Sequence, residues 1–303
     1  MVVTPFPQQT DASIKSRNRL ADIDARLASL VPEESAWPAQ LHSAQRHALL
    51  APGKRIRPLL CLLIVEGCGG DVNDGLDVAC VSEMVHAASL ILDDLPCMDD
   101  AELRRSQPTV HVAFSESTAI LTATALLNRA FGVLMRAPRL SAETRVELGD
   151  MLSYAVGSKG LIAGQIADLA NDDLTVSDAE VERLNTLKTG ALFDFAVDGG
   201  ALVAAASPQQ RRDLRDFSQQ LGLAFQLLDD IKDVVMSDYD AGKSTSRDAD
   251  KSTLVHIEGV KSSLSRLRGY RAELHTALTR ADISTADEIQ SLLDTYFDPP
   301  RKH

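Results

Sequence analysis

Apolar residues recur at helical spacing along most of this chain, and two of the resulting stretches share an ending. In residues 82–105, SEMVHAASLILDDLPCMDDAELRR, Met84, Val85, Ala88, Ile91 and Leu92 mark one face of a mostly buried helix. The helix runs into four aspartates, Asp93, Asp94, Asp99 and Asp100, and then Arg104 and Arg105. Residues 221–233, LGLAFQLLDDIKD, again close an apolar helical run with paired aspartates. The shared order, SLILDD and FQLLDD, hints at a distant internal duplication.

The same periodicity predicts helices over residues 13–30, 35–50, 57–67, 116–136, 142–169, 180–206 and 209–236, with the first aspartate helix starting near 74 and further helices closing the chain to about 296. Pro32, Pro52, Pro138 and Pro208 fall between these runs, where helices stop. Gly157, Gly160 and Gly164 lie inside the long run over 142–169 and read as close helix contacts or a bend. Ser177 and Asp178 are placed to cap the helix that follows. Residues 109–114 alternate like a strand but have nothing nearby to pair with, so they are read as helix or turn. Residues 1–12 read as a loose arm, and 238–252 as a long polar loop of the kind that forms lids or stays disordered. No composition shift marks a linker, so the expectation is one all-α domain over residues 1–303.

The aspartates bring in chemistry. Carboxylates buried at a helix end are costly unless something neutralises them. Asp93 and Asp99 would not converge on an unbroken helix, but Pro96 breaks it and lets Asp99 fold back beside Asp93. His86, seven residues before Asp93, lies on nearly the same helical face. Asp229 and Asp233 share a face without any break. A solvated acidic turn capping a core helix would give the first pattern too. Two such clusters suit opposite walls of one site, with Mg²⁺ between them and the oxygens of a diphosphate completing the coordination.

Composition narrows the class. Hydrophobic residues make up 45% of the chain and aromatics only 4%, which favours helix packing over a β-sandwich. The net charge of −12 speaks against nucleic acid and anionic membrane as partners. Positive charge is concentrated in Lys54, Arg55 and Arg57, just before and inside a predicted helix start, and in Arg104 and Arg105. Cys61, Cys68, Cys80 and Cys97 show no metal or disulfide spacing and are read as reduced packing residues, hence a cytoplasmic location. No apolar run reaches the roughly 18 residues a bilayer span needs, so no stable membrane insertion is expected. Residues 1–19 show no secretory leader pattern.

These motifs resemble the trans-isoprenyl diphosphate synthases. DDLPCMDDAELRR is similar to the family's first aspartate-rich motif in its longer form, and FQLLDDIKD to the second. GKRIRP (53–58), GQIAD (164–168), KTGALF (188–193) and AGKS (241–244) follow the family's order. ILDDLPCMDDAELRR and DKSTLV look most like the geranylgeranyl diphosphate synthases of bacterial carotenoid-type clusters. The resemblance implies a large helical bundle around a central cavity, commonly a homodimer. It also implies Mg²⁺, three ions with bound diphosphate, on Asp93, Asp94, Asp99 and Asp229. It places Lys54, Arg57, His86 and Arg105 around isopentenyl diphosphate, and Arg104, Lys188 and Lys243 on the allylic diphosphate. Thr189 falls within the same motif as Lys188, and Gln226 would offer an oxygen to a developing cation. The family mechanism ionises the allylic C–O bond, adds the isopentenyl double bond to the cation and loses a proton. Members that stop at fifteen carbons carry a bulky aromatic at one or both of positions 88 and 89. Ala88 and Ser89 are small, which implies a C20 product, with Met84 and Val85 as candidates for the tunnel floor.

The match departs from the family at several positions. Leu92 replaces a common His, Ser106-Gln107 a Gly-Lys pair, Ser115 a Gly, Ala123-Thr124 a Gly-Asp pair, and Arg247 a common Lys. Three other readings stand beside the C20 synthase. The first is a farnesyl diphosphate synthase. The second is a class I terpene cyclase, whose second metal motif normally carries Ser or Thr and Glu where this chain has DDIKD. The third is a non-catalytic subunit of a heteromeric synthase, which usually loses one set of aspartates.

Overall fold

The computed structural model describes residues 11–169, 177–239 and 253–297. In chain order the helices are α1 (Asp11–Leu30), α2 (Ala39–Leu49), α3 (Ile56–Gly67), α4 (Val72–Asp93), α5 (Val110–Ala113), α6 (Glu116–Arg136), α7 (Ala142–Val156), α8 (Leu161–Leu169), α9 (Asp178–Asn185), a π-helical turn (Thr186–Gly190), α10 (Ala191–Val203), α11 (Pro208–Tyr239), α12 (Leu254–Glu258), α13 (Val260–Ala281) and α14 (Ala286–Phe297). The strands described are the two-residue pair β1 (Leu103–Arg104) and β2 (Gln107–Pro108), antiparallel in a tight hairpin. The fold is all-α, as expected.

Helices α3 and α10 lie at the centre. Every residue of α3 from Ile56 to Val65 is buried, and α10 is buried from Phe195 to Ala201, so both are enclosed on all sides rather than on one face. Their side chains divide between two cores. Leu59, Cys61, Leu62, Leu192, Phe195 and Ala196 join one with α1, α2, α4, α6 and α7. Leu60, Ile64, Phe193, Val197 and Ala201 join the other with α11 to α14. Helices α4 and α11, which carry the two aspartate motifs, both pack on α10 and not extensively on each other. Arg19 of α1 ties the N-terminal side to the rest through Glu66 of α3 and Glu288 of α14.

Three predicted helices differ from those observed. The run over 142–169 breaks at Gly157, which caps α7 through Ser153, and resumes at Leu161. At Gly160 a Cβ would lie 2.1 Å from the Ala155 carbonyl, so Gly157 and Gly160 serve the bend between α7 and α8, while Gly164 makes a close helix contact. The run over 180–206 becomes α9, the π turn and α10. The last predicted aspartate helix extends to Tyr239, past the expected stop at 236. Residues 109–114 form the short helix α5, as read. Ser177 starts α9 with its N–H and hydroxyl both donated to Glu180. Ser115 caps α6 by accepting from the Thr118 N–H, which gives this departure from the family a structural use. The arm over 1–12 falls almost wholly outside the described residues, and so does most of the 238–252 loop.

Two sequence expectations need correction. All four cysteines are free, but only Cys61 and Cys80 are fully buried, while Cys97 is exposed in the aspartate turn. Burial pushes the Cys61 thiol up to about 12, which suits an inert packing residue. Two helices, α4 and α6, are after all long and apolar enough to cross a membrane. The apolar stretch of α4 is 72% buried inside the protein, as a core helix is, whereas that of α6 is only 39% buried.

Candidate active site

The first aspartate motif folds as its proline implies. Helix α4 ends at Asp93, Asp94 caps it, and the chain turns so that the Asp99 N–H donates to the Asp93 carbonyl at 2.8 Å. This brings Asp93 and Asp99 into the same electrostatic neighbourhood. Burial pushes the Asp93 carboxyl up to about 6, with the Lys188 charge opposing the rise and Asp99 adding to it. Asp94 is placed differently. It is buried and accepts two hydrogen bonds from Arg104, at 2.8 and 2.5 Å. The sequence reading had assigned these two residues to metal and to diphosphate. In this structure they hold each other.

Lys188 and Thr189 sit on the π turn, a rare helical distortion that often marks functional sites. Lys188 Nζ pairs with Asp168 at 2.5 Å. Helix α8, which carries Asp168, comes against the turn at Gly164, where a Cβ would lie 2.5 Å from the Lys188 backbone nitrogen. Any larger residue there would push the lysine out of place. Thr189 donates to Gln226 Oε1 at 2.6 Å, and Gln226 donates in turn to Asp230 at 2.9 Å. The Gln226 amide is thus bonded to the side chains of Thr189 and Asp230.

The second motif divides its two aspartates. Asp230 is buried, and that burial raises its carboxyl to about 6 against the Gln226 hydrogen bond, with Asp229, Asp233 and Asp168 adding to the rise. Asp229 is the more exposed of the pair. Burial among its neighbours also raises Asp229, while Lys232, Lys54 and Arg57 pull it down. Asp168 therefore links the two halves of the site, paired with Lys188 and felt by Asp230.

The basic stretch at residues 53–58 also divides. Arg55 takes a left-handed backbone conformation (φ 49°) and turns inward, to Glu83 at 2.7 Å, Asp24 at 3.0 Å and the Leu49 and Ala51 carbonyls. Lys54 stays exposed, with its Nζ 4.7 Å from the centre of the Tyr296 ring. Arg57 is buried against the Phe193 ring at 4.4 Å, and its Nε has no hydrogen-bond partner among the described residues. Burial lowers Arg57 to about 10, despite the attraction of Glu83 and Asp229. Arg105 joins the cluster, its guanidinium packed so closely on Gly53 that a Cβ there would lie 2.5 Å from Nη1. Burial first, then Arg57, Arg105, Arg104 and Arg55, hold His86 well below its usual range, so it is neutral at physiological pH.

Lys54, Arg57, His86 and Arg105 are thus brought together, and so are Asp93, Asp99 and Lys188. Lys243 lies outside the described residues. Among the described residues, no three His, Cys, Asp or Glu side chains converge as a metal site. The sequence reading missed Glu83, Asp168 and Asp230 as parts of this site. Asp168 had a signal in its place within GQIAD, whereas Glu83 looked like any helix carboxylate. Farther along α4, Ala88 is fully enclosed, Ser89 keeps some accessible surface and donates to the His86 carbonyl at 2.9 Å, and Met84 and Val85 are enclosed.

Comparison with known proteins identifies the family. The family model described as "Polyprenyl synthetase" matches residues 38–295. The chain is 44% identical to a geranylgeranyl diphosphate synthase of Pantoea ananas over 285 residues, covering 92% of this chain and 91% of that protein. It is 39% identical to a farnesyl diphosphate synthase of Bacillus subtilis over 243 residues, covering 78% of this chain and 82% of that one. A geranyltransferase from Helicobacter pylori, solved in complex with magnesium and isoprenyl diphosphate, superposes with a TM-score of 0.85 at 28% identity, covering 96% of this chain and 99% of that one. With its two aspartate walls, its arginine cluster and matches that span most of its length, this chain belongs to the polyprenyl synthetase family.

Proposed function

We propose that this protein is a prenyltransferase that condenses isopentenyl diphosphate with allylic diphosphates, head to tail, to give geranylgeranyl diphosphate. The observation that carries the reading is the pairing of two carboxylate walls with separate basic groups. Asp93, Asp99 and Lys188 form one set, and Asp229 with Lys54 and Arg57 the other. The Pantoea relative, named a geranylgeranyl diphosphate synthase, supports the C20 assignment. Because α3 and α10 contribute to both cores, we take the chain as one catalytic domain.

The donor set fits Mg²⁺. Each wall offers only oxygens, and Mg²⁺ is usually held by one or two carboxylates, with waters and substrate phosphates filling the shell. A site that needs the substrate to complete it would not show three converging side chains in the protein alone. Asp93 and Asp99 would hold ions on one wall and Asp229 on the other, three ions in all with diphosphate bound. Asp94 would assist only by releasing Arg104. When bound, the metal supplies Lewis-acid pull on the allylic diphosphate oxygens.

The protein's own groups do the rest. Lys188, and Arg104 once it leaves Asp94, stabilise charge on the departing diphosphate as the allylic C–O bond breaks. Gln226 Oε1 and the Thr189 hydroxyl face the resulting cation. Lys54, Arg57, Arg105 and His86 orient isopentenyl diphosphate so that its double bond attacks, and the proton then lost goes to the diphosphate. A kinetic split tests these assignments. Arg57→Ala and His86→Ala should raise KM for isopentenyl diphosphate at least ~10-fold more than KM for the allylic substrate, with kcat little changed. A rise confined to the allylic KM would show the two pockets exchanged.

We also propose a homodimer built on α6. This helix leaves Ile120, Leu121 and Met135 exposed at 47%, 63% and 67%. A half-bare apolar helix of this length needs a cover, and a second copy offers the same face. The four free cysteines support a reducing, cytoplasmic setting. Light scattering on the purified protein should give twice the chain mass, and Leu121→Glu should halve it. A monomeric wild type would remove the assignment.

A further inference from the structure

Glu83 stands at the centre of the arginine cluster without a part in the reaction described above. It lies on α4 with its side chain 3% exposed. Arg55 Nη1 is 2.7 Å away and Arg105 Nη2 3.7 Å away. Arg57, the third arginine, feels Glu83 as its leading attraction and has no hydrogen-bond partner for Nε among the described residues. Asp24, the other carboxylate on Arg55, is 56% exposed and so screened by water. Arg55 and Arg105 therefore pair with one buried carboxylate, whose charge also acts on buried Arg57. Buried charges persist only when paired, and this cluster carries a surplus of positive charge that an anion would match.

The geometry is graded. Glu83 grips Arg55 tightly, and three further acceptors complete that grip, namely Asp24 and the Leu49 and Ala51 carbonyls. Arg105 is held more loosely, between Glu83 and the bare backbone of Gly53. We propose that Glu83 is the positioning residue of the homoallylic pocket: anchored by Arg55, it sets the direction of Arg105 and Arg57 toward the diphosphate of isopentenyl diphosphate and leaves most of their charge for it. This rests on the substrate assignment above. A plainer role would be to neutralise Arg55 and fasten the start of α3 to α4, and the two roles separate in a double variant.

Glu83→Gln removes the charge and keeps the shape, but strands Arg55. Arg55→Gln with Glu83→Gln removes the pair together and preserves the local net charge. The readouts are KM for isopentenyl and farnesyl diphosphate, kcat, the melting temperature, and calorimetric titration with isopentenyl diphosphate alone. The single variant should raise isopentenyl KM by at least ~10-fold while farnesyl KM stays within ~2-fold. The double variant should recover melting temperature yet keep the raised KM and the weakened titration. Recovery of both in the double variant would reduce Glu83 to a partner of Arg55 and overturn the proposal. A fall in isopentenyl KM would also overturn it, because Glu83 would then only dampen charge. Should the single variant not fold, the double variant and its titration still decide. A wild type that binds isopentenyl diphosphate but condenses nothing would instead overturn the functional reading.

Discussion

Replacing Asp93 with alanine should lower turnover by at least ~10²-fold, as loss of one electrostatic stabiliser of the transition state does elsewhere. Burial already pushes this carboxyl up to about 6, a sign that the folded chain holds it without full compensation. Removing it therefore relieves the protein of an unfavourable charge and should leave the melting temperature of the metal-free chain unchanged or higher. Asp229→Ala should act from the opposite wall with a similar loss. Comparing kcat with melting temperature for both variants checks this. Near-normal turnover in either would remove the two-wall site.

The second large effect concerns product length. On the proposed function, a growing prenyl chain would extend away from the diphosphate along α4, and each isoprene unit would need about one helical turn of depth, roughly 5.4 Å. Ser89 keeps accessible surface one turn before Asp93, whereas Ala88 is fully enclosed in the core. The structure thus separates two positions that the sequence treated alike. Ser89→Phe should shift the main product from C20 to C15 with the early condensations largely retained. Ala88→Tyr must place a ring in a packed core, where overpacking costs about 1–3 kcal/mol, so it should lose stability as well as product length. Mass analysis of the prenyl alcohols after dephosphorylation separates these outcomes. If Ser89→Phe still gives C20, this face of α4 does not set the length.

Much of this was legible because it depends on local chain properties. The proline in DDLPCMDD forces the turn that returns Asp99 to Asp93, and the apolar periodicity marks α4, α6 and α11. What was not legible depends on partners far away in sequence. The π turn at Lys188 adds a residue to a helix whose periodicity looks ordinary, and it is matched by Gly164 on α8. Arg55 and Arg57 differ by two positions, yet Arg55, itself left-handed, turns to Glu83 while Arg57 stacks on the Phe193 ring. The Glu83 carboxylate lies in an apolar run, and only the fold shows Arg55 and Arg105 paired with it and its charge acting on Arg57. Likewise the bond between Asp94 and Arg104 joins two residues that the motif alone assigned to different ligands. The hairpin Leu103–Arg104 with Gln107–Pro108 makes that bond possible, and strands of two residues leave no periodic trace.

The most direct measurement is the product formed when purified protein is incubated with isopentenyl diphosphate, Mg²⁺ and, in separate reactions, dimethylallyl, geranyl or farnesyl diphosphate. The account predicts release of inorganic diphosphate in all three, dependent on both substrates and abolished by EDTA, with geranylgeranyl diphosphate as the longest main product. A product that stops at farnesyl diphosphate, a cyclised hydrocarbon, or no turnover with any allylic substrate would contradict it.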